Sequence, residues 1–351
     1  MAATGGESRM TPTAIWYGRG AAQRLIAALL APLGWLYCAV AAARAAAYRR
    51  GWLASFDAGV PVLVVGNLSV GGTGKTPLVR WLAGHLDDLG LRPGIAARGH
   101  GARAGAGARV RMVPPDGDPE VFGDEPVLLA AGGGWPVAVG RDRVAAARAL
   151  VHGHGCGVVI TDDGLQHYRL RRCCEILVVD GERGHGNGRC LPAGPLREPI
   201  GRAARADLAI ATGGGQPGLP TMLLLPQPAV RLCGARDARD LGDFAGQRVT
   251  AVAGIGNPGR FFRMLSASGI EFDARPYPDH HRFGGADVAA WGSGPVLMTE
   301  KDAVKVRRLP PADPRGCELW MVPVAASPSA DFIGALDRLL AERGILPPAG
   351  S

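Results

Sequence analysis

The stretch Val60–Leu82 constrains the chain more than any other. A β-branched apolar run, Val60–Val65, stops at Gly66 and a glycine-rich turn follows. Gly74-Lys75-Thr76 then opens a segment with Leu78, Val79, Leu82, Leu86 and Leu89 at helical spacing. Strand, tight turn and helix in that order make a phosphate loop. Backbone N–H groups along Ser69, Val70, Gly71, Gly72, Thr73 and Gly74 can surround phosphate oxygens, Lys75 neutralises charge, and the Thr76 hydroxyl can ligate Mg²⁺. Pro77 falls in the first helical turn, where its missing N–H costs little. The pattern G-x-x-x-x-G-K-[ST] departs at one letter, since Ser69 stands where the first glycine belongs. A bound nucleotide is expected.

Lys and Arg outnumber Asp and Glu, 39 to 31, and the pI is about 9.4, which suits an anionic partner. No RNA-binding signature, zinc-finger spacing or basic low-complexity arm accompanies that charge, so the expected partner is a membrane surface or a phosphorylated substrate and not nucleic acid. Seven cysteines without a framework suit a reducing compartment. His152-Gly-His154-Gly-Cys156 reads better as a helix-to-strand loop than as a metal site.

Three regions are expected from the 351 residues. Residues 1–55 form a membrane-associating helical segment, with Met1–Pro12 as a frayed end. Leu25–Ala43 carries no charge and is fenced by Arg24 on one side and by Arg44, Arg49 and Arg50 on the other. It matches a membrane span of about 18–20 residues. Pro32 and Gly34 in its middle, its alanine content and its flanking arginines favour a helix lying in the interface, with Trp35 and Tyr37 at headgroup level. An alanine-rich buried helix is the competing reading.

Residues 56–225 alternate strands with helices, which implies an α/β fold of the P-loop NTPase type, a mostly parallel sheet covered by helices on both faces. Ala102–Pro119 reads as a mobile excursion. Val158–Thr161 runs into Asp162-Asp163, the way such folds place a carboxylate beside the Mg²⁺ of a phosphate loop. Leu191–Pro199 is a rigid loop carrying Arg197 and Glu198. Ligands of such sheets bind at the carboxyl ends of strands, where the phosphate loop, Asp124, Asp162 and Arg197 would converge.

Residues 226–351 read as a smaller C-terminal α/β domain. Gly254-Ile-Gly256-Asn-Pro-Gly259 matches G-x-G-x-x-G after a strand, but Pro258 stiffens the turn where a dinucleotide pyrophosphate would approach, so a tight turn is the preferred reading. Asp279-His280-His281 is either surface polarity or a histidine held by an acid for proton transfer. In Thr299–Lys305 the adjacent Lys301 and Asp302 fail the spacing of a GTPase base-reading loop.

Together these pieces resemble the tetraacyldisaccharide 4′-kinases of lipid A assembly. The resemblance rests on Gly66–Pro77, Arg98-Gly99, Gly123–Pro126, Asp162–His167, Leu191–Pro199, Asp279-His280 and Thr299–Lys305, in family order. Ser69 is then the family's own variant of the loop. The resemblance implies transfer of the γ-phosphate of ATP to the 4′-hydroxyl of a tetraacylated disaccharide 1-phosphate at the cytoplasmic face of the inner membrane; a monomer is expected. It implies that Asp124 is the base, paired to His280 across a domain cleft. Thr76, Asp162, Asp163 and Glu198 would serve Mg²⁺, and Arg98, Arg197, Gln166 and His167 would meet phosphate or substrate. A partner-regulated, membrane-associated switch ATPase is the alternative, but it would carry a lysine where this chain has Val70.

Overall fold

The structure is a computed structural model and describes residues 11–99, 110–232, 237–309 and 318–346. The expectations for residues 1–10 and 102–109 lie outside the described residues.

Three helices come first: α1 (Pro12–Tyr17), α2 (Ala21–Leu29) and α3 (Ala31–Arg49). The uncharged stretch is thus a pair of helices bent by 55°, and not one helix. Pro32 lies in the first turn of α3, so it starts a helix instead of interrupting one. No single helix among the described residues is long and apolar enough to cross a membrane. Leu29, Leu33, Leu36 and Val40, spaced to share one face, are 56–72% exposed. The opposite face is anchored: a Cβ on Gly34 would lie 3.0 Å from the Cys190 carbonyl oxygen, and Arg189 Nη1 donates to Ala27 O at 2.7 Å.

A large sheet follows. Its elements are β1 (Val62–Gly66), α4 (Lys75–Asp88), β2 (Pro93–Ala97), β3 (Arg111–Met112), α5 (Pro119–Phe122), α6 (Asp124–Ala131), β4 (Val137–Val139), α7 (Arg143–His154), β5 (Val158–Asp162), β6 (Cys174–Asp180), β7 (Leu208–Thr212) and β8 (Thr221–Pro226). The stretch read as a mobile excursion therefore contains, in its described part, strand β3 and the start of α5. β1 is central, parallel to β5 on one side and β6 on the other, and all five of its residues are buried. A sheet covered on both faces needs such unbroken apolar strands. The register sets Val65 beside Asp162, so the acid lies next to the strand end that launches the phosphate loop.

The chain then builds β9 (Ala229–Arg231), β10 (Ala238–Arg239), β11 (Val249–Ala253), α8 (Pro258–Ala267), β12 (Phe272–Pro276), α9 (Gly285–Ala290), β13 (Pro295–Thr299), α10 (Glu300–Val306) and β14 (Glu318–Val322). These strands make a six-stranded sheet in the order β10-β9-β14-β13-β11-β12.

The region 226–351 does not stay together. β15 (Val324–Pro328) pairs antiparallel with β8, extending the first sheet to nine strands in the order β15-β8-β7-β6-β1-β5-β2-β4-β3. α11 (Ala330–Glu342) buries Phe332, Leu336 and Leu340 in the same core as Leu63 and Leu82. The chain leaves the first sheet along β8 and returns beside it along β15, so the segment after Pro323 belongs to the first layer. Apolar burial is the cause, since this face of the helix finds its core there and not against the second sheet.

Candidate active site

The phosphate loop is built against a second loop. Val70 N donates to Pro195 O at 2.9 Å, Arg197 N donates to Leu68 O at 2.7 Å, and Ser69 bridges Leu196. Ser69 is therefore in paired backbone with an ordinary negative φ, and its place needs no glycine. Gly74 does need to be one: its φ is +87°, and a Cβ there would meet Thr212 Cγ2 at 2.9 Å. Lys75 heads α4 with Nζ 3.1 Å from Asn67 Oδ1 and 3.6 Å from Asp163.

Asp162 and Asp163 end β5 in different states. Asp162 is 3% exposed, and its Oδ1 has no partner among the described residues. Burial, with Glu125 adding repulsion and Lys75 opposing, pushes its carboxyl up to about 7. Burial also works against the charged form of Asp163, but Lys75 and Arg197 outweigh it and hold that carboxyl well below the usual range. Arg197 Nη1 reaches both Asp163 oxygens, at 2.9 and 2.7 Å. Asp163 adopts φ +53°, a left-handed backbone costing about 1–3 kcal/mol that turns its carboxylate back toward the two cations.

The second sheet closes the other side. A Cβ on Gly254 would lie 2.9 Å from Asp302 Oδ1, and one on Gly256 would lie 2.7 Å from the Gly72 nitrogen. These glycines thus allow the close approach of a carboxylate and of the phosphate loop. Asp302 is fully buried and accepts from Gly254 N at 2.8 Å and Thr299 Oγ1 at 2.7 Å. Glu300 accepts from Arg80 of α4 at 2.7 Å. Lys301 points into the cleft. Ion pairs also join the two sheets, Arg260 to Asp180 at 2.7 Å among them.

Between them lies a cleft of about 420 Å³. Its polar lining comes from the phosphate loop, Arg98, Asp162, Asp163 and Arg197, and its apolar lining includes Leu224, Phe261, Met264, Val322 and Val324. Beside it Asp124, buried at the start of α6 and next to the lining residue Glu125, meets His280 of the cleft, with Oδ2 3.3 Å from Nδ1. His280 has φ +60°, so with Asp163 it is the second non-glycine residue of the cleft held in a left-handed backbone. The histidine held by an acid is the arrangement present.

The tetraacyldisaccharide-1-P 4′-kinase (LpxK) family model matches residues 26–341. The chain belongs to that family. A tetraacyldisaccharide 4′-kinase of Alkalilimnicola ehrlichii is 49% identical over 85% of this chain and 88% of its own length. One of Chromobacterium violaceum is 47% identical over 88% and 92%. The crystal structure of LpxK from Aquifex aeolicus in complex with ATP superposes with a TM-score of 0.72 at 27% identity, covering 91% of this chain and 99% of that one.

Not every residue expected at the 4′-kinase site lines the cleft. Glu198 is 3% exposed and faces away: it accepts from the Tyr168 hydroxyl and from Gln166 Nε2 at 3.2 Å, with Arg202 3.9 Å off. Gln166 spans from Glu198 to Asn67 O at 3.3 Å, bracing the loop from behind. His167 is also behind it. Burial, then Arg143 and Arg172, bring its imidazole down to about 4, so it is neutral. Arg197 and Glu198 are adjacent, yet their side chains part, one to Asp163 and the other to the Tyr168 hydroxyl. Sequence reasoning missed Asn67, Glu125 and Lys301. Glu125 and Lys301 stood inside quoted motifs, and the signal was that these motifs hold more charged residues than the chemistry had assigned.

Proposed function

We propose that the cleft carries out in-line phosphoryl transfer with the nucleotide on the first sheet and the lipid acceptor entering beside α2 and α3. As a member of its family the chain is an enzyme of lipid A biosynthesis, a kinase that uses ATP to phosphorylate the 4′-hydroxyl of tetraacyldisaccharide 1-phosphate. The observation that carries the roles is the Asp124–His280 pair beside the cleft that the phosphate loop lines.

Backbone amides from Val70 to Gly74 and the Lys75 ammonium hold the transferring phosphates, and Arg197 adds charge. Asp124 takes the proton of the attacking hydroxyl while His280 orients its carboxylate. The apolar part of the lining suits the nucleoside. The orphaned, buried Asp162 oxygen beside Asp163 and Thr76 fits a divalent cation, so these three residues would hold Mg²⁺. Once bound, the ion supplies neutralisation of charge on the phosphoryl oxygens. Phosphoryl transfer is mostly alignment and charge compensation, and the two sheets supply these from opposite sides.

The outward apolar face of α2 and α3, with Arg19, Arg24, Arg49 and Arg50 nearby in sequence, supports attachment to the cytoplasmic surface of the inner membrane, where a monomer would meet its lipid. The test is incubation of purified protein with γ-labelled ATP, Mg²⁺ and the disaccharide lipid. Label on the 4′-oxygen that chelator abolishes supports the reading; unlabelled lipid with active protein refutes it.

A further inference from the structure

We infer that Lys301 is the positioning residue that fixes the tautomer of His280 and through it the orientation of Asp124, an assignment that rests on the reading of Asp124 as the base. Lys301 lies in the first turn of α10 with its side chain 15% exposed. An ammonium has three hydrogens and no acceptor. Three acceptors surround this one: Asp279 Oδ1 at 3.1 Å, Glu125 Oε1 at 3.4 Å and His280 Nε2 at 3.4 Å.

Because the ammonium can only donate, Nε2 must present its lone pair to it. In a neutral imidazole the proton then sits on Nδ1, 3.3 Å from Asp124 Oδ2, and is donated to that oxygen. The reverse tautomer would set an Nε2 proton against the ammonium, a donor facing a donor. Asp279 Oδ1, 3.9 Å from Nε2, accepts from Lys301 and from the His280 backbone N–H at 3.1 Å. The hydrogen bonds therefore run one way, from Lys301 through His280 to Asp124. With Oδ2 engaged, Oδ1 of Asp124 is left for the hydroxyl proton. The same lysine pairs with Glu125, the neighbour of Asp124 on α6, so it also ties the two sides of the cleft together at the base. Lys305, by contrast, makes contacts that serve the fold: it pairs with Asp302 at 2.9 Å and donates to His281 O at 3.1 Å.

Lys301→Met keeps the length of the side chain and removes charge and donors. Long-range ¹⁵N–¹H spectra of the histidine rings, with the His280 signals identified by their loss in His280→Gln, read the tautomer directly. The wild type is expected to carry the proton on Nδ1, and Lys301→Met to lose that preference. Its kcat should fall by about 10²-fold with KM for ATP changed by less than about threefold. Lys301→Ala should regain turnover with added propylammonium and none with propanol. The inference is overturned if wild-type His280 is protonated on Nε2, if kcat falls while the tautomer is unchanged, or if propanol rescues as well as propylammonium. Failure of the base reading is separate: it appears as retained turnover in Asp124→Asn, whatever the ring spectra show.

Discussion

Gly256→Ala places one methyl group where the two sheets meet the nucleotide. The new Cβ would lie 2.7 Å from the Gly72 nitrogen, 3.4 Å from Asp279 Oδ2 and 3.5 Å from Gly71 Cα. To reach an ordinary contact distance, one backbone must retreat by roughly 0.7 Å. The Gly256 side is held, since its carbonyl accepts from Arg183 Nη1 at 2.9 Å. The phosphate loop is the side that yields, and its amides are the groups that must face the phosphates. A shift approaching 1 Å in such a group costs up to about 10²-fold, or about 2.7 kcal/mol. We expect kcat/KM for ATP to fall by about 10- to 10²-fold, with unfolding free energy lowered by about 1–3 kcal/mol. Steady-state kinetics against ATP and urea unfolding measure the two. ATP kinetics within about twofold of wild type would refute the argument that the loop's position depends on this contact. Gly254→Ala is the contrast, because its Cβ would press on Asp302 and should cost stability more than ATP affinity.

Replacing Leu29 and Leu36 with glutamate removes two outward leucines, each worth about 1.5–3 kcal/mol when buried, so binding to anionic vesicles should weaken by more than about 10²-fold with soluble-phase ATP binding intact; unchanged sedimentation with vesicles would place the attachment elsewhere. His167 gives a pH signature. Its ring stays neutral down to about 4 when folded, while the unfolded chain takes up a proton near 6.5, so its contribution to stability falls as pH drops through that window and levels off below it. His167→Gln should flatten the urea-unfolding profile between those values and leave pH 8 unchanged; an unaltered slope would contradict the assigned neutrality.

The phosphate loop was legible because its signals are local: an apolar strand, a glycine turn and a helical period within one stretch. The parallel sheet followed from the same alternation. The reason for Ser69 was not local, since it lies in pairing with Leu196, more than a hundred residues on. Glu198 shares a rigid loop with Arg197, and nothing in one sequence tells which of two neighbours faces the cleft; the Tyr168 hydroxyl and Arg202 decide it. β15 and its helix were assigned to the wrong layer because Val324–Pro328 is half-exposed and carries no alternation that names its partner. Lys301 was visible but unassigned. Its adjacency to Asp302 spoils a GTPase pattern, yet the first turn of a helix sends the two side chains to different places, one into the cleft and one under Gly254.

The central claim is that Asp124 accepts the proton of the attacking hydroxyl beside the cleft that the phosphate loop lines. Single-turnover transfer from γ-labelled ATP to the disaccharide lipid, run on Asp124→Asn beside an equilibrium measurement of ATP affinity, tests it most directly. The account predicts a transfer rate lower by about 10²–10⁴-fold with ATP affinity within about threefold of wild type. Transfer at the wild-type rate, or a collapse of ATP affinity that explains the loss, would contradict it.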